Sequence, residues 1–326
     1  MPAHVERLLA LPVAALAWLG GQGTRALAAL VVIGIAVPPL GALFRPHVTE
    51  AVFVLLCISF MRVDAAALRA YLRRPLLVIA ATLWSTFAMP LAFGLAGAAG
   101  GFDKAAPDLF LGLMLQAVAS PMMASPALAA LMGLDATLVL ITLVTTTALV
   151  PFSAPLFASL FFGEALSLSP LALGLKLSAI LAGSLLVAAV IRGLVGAAAI
   201  ARHSRPIDGF NILILLVFVS AIMGTVAESV LADPMGAALL TLVAFAAFGA
   251  LLGATVLAFR AAGRERALAL GLMVSQRNLG LMLAGTDGAL PGLVWFYFAL
   301  SQFPIYLSPQ LLKPVVERLR RGPPAA

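Results

Sequence analysis

The residues best placed to do chemistry in this sequence form one short polar run, Ser275-Gln276-Arg277-Asn278, inside an apolar stretch. Arg277 is the only charged residue between positions 267 and 284, and this stretch approaches the roughly 20 residues that a helix needs to cross a bilayer. A guanidinium near the middle of a membrane helix costs about 2.5–3.5 kcal/mol on insertion scales, and such residues usually mark a functional site. The run therefore predicts that a membrane helix opens here and lines a protected substrate or ion site.

A second polar interruption occurs at residues 120–126, where Ser120-Pro121 and Ser125-Pro126 enclose two methionines and an alanine. Proline cannot donate a backbone hydrogen bond, so each Ser-Pro pair favours a break in a helix. Paired interruptions in membrane helices are typical of transporters whose binding site lies near the middle of the bilayer. We therefore expect the two breaks to meet and to share one site.

Structural interpretations of the same residues stay open at this stage. Pro121 and Pro126 are also compatible with simple kinks that neighbouring helices pack against. Arg277 is compatible with a clamp that binds helix carbonyl groups instead of a ligand. Lys176 lies early in an apolar segment, where its long stem can carry the amine outward, so we expect it to have a structural role.

Composition places these breaks in a membrane protein. Of the 326 residues, 63% are hydrophobic and only 10% are charged, and the mean hydropathy is +1.12. A soluble domain of this size needs more charge, so the chain is predicted to cross the membrane several times and to have the lipid bilayer as its surroundings. The net charge of +7 does not indicate nucleic-acid binding, because no soluble segment is available to carry such a site.

The sequence offers little for a metal centre or an enzyme. Cys57 is the only cysteine, and the three histidines, His4, His47 and His203, stand far apart without a second ligand at helical spacing. Neither paired acids nor an activated nucleophile are recognisable, so we expect no catalytic activity and no cofactor.

Hydrophobic segments predict ten spans, of which the fourth and the ninth contain the two breaks. The spans lie at about residues 26–44, 48–61, 76–98, 109–133, 137–161, 170–191, 209–229, 236–259, 267–284 and 291–311. The predicted division of the chain is an N-terminal segment 1–23, five-helix repeats 24–164 and 165–314, and a tail 315–326. The N-terminal segment is predicted to be an interfacial helix, with the apolar region of a cleaved signal as the alternative.

Basic residues support this count because they lie almost entirely on one side. Arg45 and Lys104 fall outside, Lys176 and Arg277 fall within spans, and the other sixteen of the twenty Lys and Arg residues fall on the side that contains the N-terminus. The positive-inside rule makes that side the cytoplasm, so both termini are predicted to be cytoplasmic in a bacterial inner membrane. Five spans per half is an odd number, so the halves are predicted to be inverted repeats, each with a broken helix in fourth place.

Several motifs along the chain are similar to those of one transporter family. They are Phe60-Met61-Arg62-Val63-Asp64 with Leu72-Arg73-Arg74-Pro75, then Phe87-Ala88-Met89-Pro90, the region from Ser125 to Asp135, and Gln276-Arg277-Asn278. With these motifs the chain resembles the sodium/bile acid symporter family and its bacterial relatives, from about residue 26 to 314. The resemblance implies that the fourth and ninth spans are discontinuous and cross in a core domain beside a smaller panel domain. It also implies sodium ions near the crossing and an organic anion between core and panel.

The chain departs from this family at the residues that would bind sodium. Ser125 and Asn278 match the family's motif, and the resemblance makes them candidate sodium ligands. Met273 stands in place of a liganding carboxylate, Arg277 in place of a glutamine, and Ser85 in place of a glutamine of the third span. A fixed cation repels sodium, and no carboxylate within a span offsets that repulsion. The sequence therefore predicts that ordinary sodium coupling is lost.

These observations predict a secondary transporter of a small organic anion that works by alternating access. The residues predicted to bind the substrate are Arg277, Gln276, Asn278, Ser125, Ser120 and Ser85. One alternative is a true sodium symporter whose ligands are rebuilt from hydroxyl and carbonyl groups. Another, from a different class, is a membrane sensor or enzyme on a transporter scaffold.

Overall fold

The computed structural model describes residues 3–22, 24–63, 75–162, 166 and 168–321. Within this part of the chain the regular secondary structure is helical, and no β-strand is present. The α-helices, in chain order, are α1 (Ala3–Gly20), α2 (Thr24–Ala36), α3 (Pro38–Phe44), α4 (Val48–Met61), α5 (Pro75–Leu83), α6 (Met89–Ala99), α7 (Phe102–Ala105), α8 (Pro107–Val118), α9 (Ser125–Leu131), α10 (Ala136–Phe157), α11 (Pro170–Val195), α12 (Ala197–Arg202), α13 (Ser204–Met223), α14 (Val226–Ala232), α15 (Pro234–Ala258), α16 (Arg264–Ser275), α17 (Leu279–Gly285) and α18 (Gly292–Arg321).

Six helical runs in the described residues are long and apolar enough to cross a membrane. They are Pro38–Met61, Pro75–Ala99, Ala136–Phe162, Pro170–Val195, Ser204–Ala232 and Pro234–Ala258. The prediction of an all-helical membrane protein is therefore confirmed. The predicted third, fifth, sixth, seventh and eighth spans each fall on one of these runs. The predicted fourth and ninth spans each consist of two short helices, α8 with α9 and α16 with α17.

The region of the first two predicted spans, 26–44 and 48–61, contains one more helix break than the sequence predicted. Helix α2 ends at Ala36, whereas Pro38–Met61 forms one helical run that includes a 3₁₀ turn. Val37 lies between them with φ −124° and ψ 70°. A residue before proline is disfavoured in the α region, so the two consecutive prolines that follow Val37 end α2. The predicted boundary at residues 44–48 coincides with the 3₁₀ turn Arg45–His47 between α3 and α4, and the break at Val37 was not predicted.

By internal contacts the chain forms two compact units, and each unit takes residues from both halves of the sequence. Unit 1 consists of Met1–Val63 and Ser178–Ala232. Unit 2 consists of Asp64–Leu177 and Asp233–Ala326. The five-span repeats predicted from the sequence are a different division of the chain, and they stay a prediction.

Helix α13 is the centre of unit 1 and packs against α1, α2, α3 and α4. Its contact with α1 is antiparallel and very close, because the backbone of Leu16 faces Gly209 and the backbone of Gly20 faces the Arg205 carbonyl. A Cβ atom on either glycine would overlap the other helix. Small residues allow such backbone approach between membrane helices. The interfacial location proposed for residues 1–23 stays a prediction.

Polar contacts join the helix ends of unit 1. Arg62 forms an ion pair with Asp208 at 2.6 Å. Arg192 donates from Nη1 to the carbonyl oxygens of Met61 at 3.2 Å and Val63 at 2.5 Å. These carbonyls lie at and just beyond the end of α4, where a helix has no backbone donors left for them.

Unit 2 has an apolar core that holds the broken helices in place. The core is made mainly by α10 and α16, with α5, α9 and α15 adding side chains. Leu138, Leu270 and Met273 are fully buried in it. Met273 is therefore a packing residue in this protein.

Candidate functional site

The two helix breaks meet in unit 2 and pair with each other as a short antiparallel segment. The paired residues at its centre are Pro121 and Arg277. The backbone N–H of Met122 donates to the Gln276 carbonyl, and the N–H of Asn278 donates to the Ser120 carbonyl, both at 2.7 Å. Backbone groups that two broken helices leave unpaired are thus satisfied by each other, as they must be away from water.

Local sequence explains why each break occurs where it does. Ala119, at the end of α8, has ψ 148°, an extended value that suits a position close to the Ser-Pro pair that follows. Helix α9 then begins with a proline in its first turn, where the missing N–H costs nothing. In the second break Gln276 is extended, with φ −90° and ψ 93°. Asn278 caps α17, because its side-chain Oδ1 accepts a hydrogen bond from the Leu281 N–H at 3.2 Å.

Arg277 is enclosed at the pairing point, with only 1% of its surface exposed. Its Nη1 donates to the Ala119 carbonyl at 2.8 Å and to the Ser85 hydroxyl at 3.2 Å. Its Nη2 donates to the Ser85 carbonyl at 3.4 Å. Its Nε has no acceptor among the described residues. Both ends of the guanidinium fork are therefore used within the protein.

The Ser85 carbonyl is free to accept from Arg277 because of a wide turn in its own helix. Between α5 and α6 the chain makes a π-helical turn, Trp84–Ala88, in which the Met89 N–H donates to the Trp84 carbonyl. In a regular α-helix that N–H would bond Ser85 instead. The next residue, Pro90, has no N–H to offer. Ser85 is left without a helix donor, and the guanidinium supplies one.

The Ala119 carbonyl is available for a similar reason. It caps the C-terminal end of α8, where the last carbonyls of a helix lack intrahelical donors and carry the negative end of the helix dipole. A cation placed there is favourable. Arg277 thus lies where backbone oxygens from two helices converge.

Among the described residues, Arg277 is not paired with an acid. Ion pairs in this part of the chain include Arg62–Asp208, Lys176–Asp287 and Arg266–Asp135. None of them includes Arg277. Lys176, predicted to have a structural role, joins the first part of α11 to the turn after α17 through Asp287. The buried guanidinium therefore has carbonyl and hydroxyl dipoles as partners, without a carboxylate in the described part of the chain.

A second polar cluster lies beside Arg277 and is centred on Gln276. Its Oε1 accepts from the Ser125 hydroxyl at 3.2 Å, and its Nε2 donates to the Ser308 hydroxyl at 2.8 Å. Gln276 and Ser125 are fully buried. This cluster connects both breaks to α18, which contains Ser308.

The structure therefore brings the six predicted site residues into one region of unit 2, in different roles. Arg277 contacts Ser85, and the carbonyl of Ser120 lies beside it in the paired segment. Gln276 contacts Ser125, and Asn278 is a half-buried helix cap. Residues that sequence reasoning missed were Ser308 and the backbone oxygen of Ala119. The Ser308-Pro309 pair repeats the pattern of the first break and was the available signal for Ser308.

Ser125 and Asn278, the two candidate sodium ligands, each make a hydrogen bond within the protein. The Ser125 hydroxyl donates to Gln276, and the Asn278 Oδ1 accepts its capping bond. Both oxygens keep a lone pair, so their role as sodium ligands stays a prediction. The neighbouring guanidinium would also repel a cation. In the described residues there is also no cluster of three or more His, Cys, Asp or Glu side chains that could hold a metal ion.

Comparisons with models of known protein families and with curated proteins found no match to this chain. The resemblance to the sodium/bile acid symporter family therefore rests on the motifs quoted above and stays a prediction.

Proposed function

We propose that this chain is a secondary transporter of a small organic anion, with ten membrane spans in two inverted repeats and both termini in the cytoplasm. The observation that carries the proposal is the antiparallel pairing of two helix breaks at Pro121 and Arg277, with the guanidinium buried between them. Broken helices in corresponding halves of a membrane protein are the usual framework of a transport site.

The composition of the two compact units supports the same arrangement. The predicted first, second and seventh spans and most of the sixth fall in unit 1, and the other spans fall in unit 2. Unit 2 contains both broken helices, as expected for a core domain, and the smaller unit 1 corresponds to a panel domain. We propose that transport proceeds by alternating access, through motion of a core domain against a panel domain.

Arg277 acts, in this proposal, as a permanent cation in the place of a coupling ion. Its Nη1 and Nη2 groups already donate to Ala119 and Ser85, so these two nitrogens are bonded to protein oxygens and not to a substrate carboxylate. Arg277 instead provides a fixed positive charge that holds oxygen atoms of α8 and the π-helical turn together. In a protein without this arginine, a bound cation would have that role. Transport without a need for sodium follows.

A sodium symporter with rebuilt ligands is the second candidate, and a group of buried hydroxyls in unit 2 favours it. Hydroxyl oxygens of Thr86, Thr142, Thr146 and Thr147 are buried without a hydrogen-bond partner among the described residues. Hydroxyl oxygens are suitable ligands for a hard cation. This candidate predicts that sodium drives transport in spite of Arg277.

Uptake of labelled organic acids into proteoliposomes tests the proposal. We expect at least one small organic anion to be taken up in a saturable way, and replacing sodium by potassium or choline to change that uptake little. Steep, saturable sodium dependence would favour the second candidate. Absence of uptake across a panel of mono- and dicarboxylates would reject organic anion transport.

Reporter fusions test the ten-span arrangement separately. A fusion after Arg205 should report the cytoplasm and a fusion near Asp103 the outside, because the basic residues follow that pattern. A periplasmic signal at Arg205 would overturn the inverted-repeat arrangement.

A further inference from the structure

Of the three nitrogens of the Arg277 guanidinium, Nε is the one that has no protein acceptor in the described chain. The side chain is 1% exposed, so bulk water does not solvate that group. A buried N–H of a charged side chain is costly to leave without a partner. The position thus calls for an acceptor that the described residues do not provide.

Buried hydroxyls lie on the segments that contact Arg277. The Ser120 hydroxyl is buried without a protein partner, while the Ser120 carbonyl binds the Asn278 N–H and the adjacent Ala119 carbonyl binds Arg277. The Thr86 hydroxyl, also without a protein partner, belongs to the residue that follows Ser85. One charged N–H and two O–H groups without acceptors therefore belong to the same small region.

We propose that this region holds a single small inorganic anion of the halide class, with chloride as its physiological form, bound by Arg277 Nε–H and the Ser120 hydroxyl. The site has a fixed positive charge and N–H and O–H donors, which is the environment that a partly dehydrated anion prefers. Thr86 is a further donor on the neighbouring turn.

Burial argues for a one-atom ligand rather than an organic one. Gln276, Ser120 and Arg277 expose between 0% and 1% of their surface, so the position is enclosed by protein. The two Nη groups already donate to backbone and hydroxyl oxygens, which leaves Nε as the one nitrogen of Arg277 without a protein acceptor in the described chain. The anion is therefore a resident counter-ion of Arg277 and is distinct from the transported substrate. This inference does not depend on the identity of that substrate.

Equilibrium binding of radioactive chloride to the full-length protein in lipid nanodiscs tests the inference. The protein is prepared in gluconate at constant ionic strength and measured without any organic substrate. We expect saturable binding of one chloride per chain, displacement by bromide and no displacement by gluconate. Non-saturable binding of chloride would overturn the proposal.

Two variants with matched controls test the assignment to these residues. Ser120→Ala should weaken chloride binding about tenfold, which corresponds to about 1.4 kcal/mol, and Arg277→Lys should weaken it more. The controls are Ser184→Ala, a buried serine whose hydroxyl already donates to the Leu181 carbonyl, and Arg192→Lys, an arginine that donates to carbonyls in unit 1. Both controls should bind chloride as the parent does.

Ser120→Ala removes one oxygen atom and decides the question even where Arg277→Lys fails to fold. Unchanged binding in a folded Ser120→Ala variant would overturn the site as assigned. Since binding is measured without substrate, a protein that binds chloride but transports no organic anion contradicts only the proposed function. A protein that transports but binds no chloride contradicts only this inference.

Discussion

The two helix breaks contribute opposite kinds of chemistry to the place where they meet. The first break, residues 119–124, has no charged residue and offers backbone oxygens, and its Met122, Met123 and Ala124 are partly or fully exposed. The second break, residues 276–278, is shorter and more buried, and it brings the guanidinium. Their backbones pair with one hydrogen bond in each direction, but at Arg277 the first break supplies the acceptor and the second supplies the charged donor. A single arginine on one of the two breaks is therefore enough to bring a fixed charge to the place where they meet.

Among substitutions at the two breaks, we expect removal of the positive charge of Arg277 to have the largest effect on transport and stability. Arg277→Ala leaves the Ala119 and Ser85 carbonyls without their side-chain donor, at about 1–3 kcal/mol for each buried group. We expect transport to be lost and the thermal unfolding midpoint to fall. Arg192→Ala in unit 1 is the matched control, because that arginine also donates to carbonyls but is partly exposed. Uptake equal to the parent's in Arg277→Ala would leave Arg277 as a structural clamp only.

The next effect separates the charge of Arg277 from its shape. Arg277→Lys keeps a positive charge and loses the planar fork, so a role as a fixed cation predicts a mild loss of transport. Arg277→Gln removes the charge and should make uptake partly dependent on sodium, measured in sodium against choline. A severe loss of substrate affinity in Arg277→Lys would indicate direct bidentate binding of the substrate instead.

A smaller effect is expected at the neutral part of the second break. Gln276→Leu removes the acceptor of the Ser125 hydroxyl and the donor to Ser308. Leaving such buried groups unpaired costs about 1–3 kcal/mol of stability. Denaturant unfolding in detergent measures it, with Gln310→Leu at an exposed position of α18 as the control. Equal stability of Gln276→Leu and the parent would show that the cluster does not hold the breaks together.

The smallest effect is expected at the cap of α17. Asn278→Ala removes the side-chain acceptor of the Leu281 N–H and should cost about 1 kcal/mol. Asn278→Ser restores a capping oxygen and should recover most of that loss. Asp233→Ala, which removes the exposed cap of α15, is the matched control for the size of the effect. If Asn278→Ala lowers transport far more than stability, Asn278 takes part in transport directly.

The sequence was informative where a residue type conflicts with its surroundings. An arginine and two Ser-Pro pairs in apolar stretches indicated where helices break, and the structure interrupts both helices there and pairs them. The partners of Arg277 could not be predicted, because a backbone oxygen such as that of Ala119 has no signature in the sequence. Ser308 was missed because it lies 32 residues from Gln276, and only the fold brings them together.

Near the start of the chain the sequence prediction found one of two helix breaks. The boundary placed near residues 44–48 followed hydropathy, which changes there because of Arg45 and His47, and α3 ends at Phe44 while α4 begins at Val48. The break at Val37 was missed, although the two prolines that follow Val37 disfavour helix at that residue. Inverted repeats and the ten-span count concern relations across the whole chain, and those stay predictions.

The wide turn at Trp84–Ala88 and the proline that follows it act together on the backbone oxygen that Arg277 binds. A π-helical turn accommodates one more residue than an α-helical turn. Deleting one residue within positions 86–88 would place the Trp84 carbonyl and the Met89 N–H four residues apart, as in a regular α-helix. Pro90 would then be the fourth residue after Ser85, and because proline has no N–H the Ser85 carbonyl would still lack a helix donor. Among close variants of this protein, a single-codon deletion at these positions should therefore leave the contact between Arg277 and the Ser85 carbonyl in place.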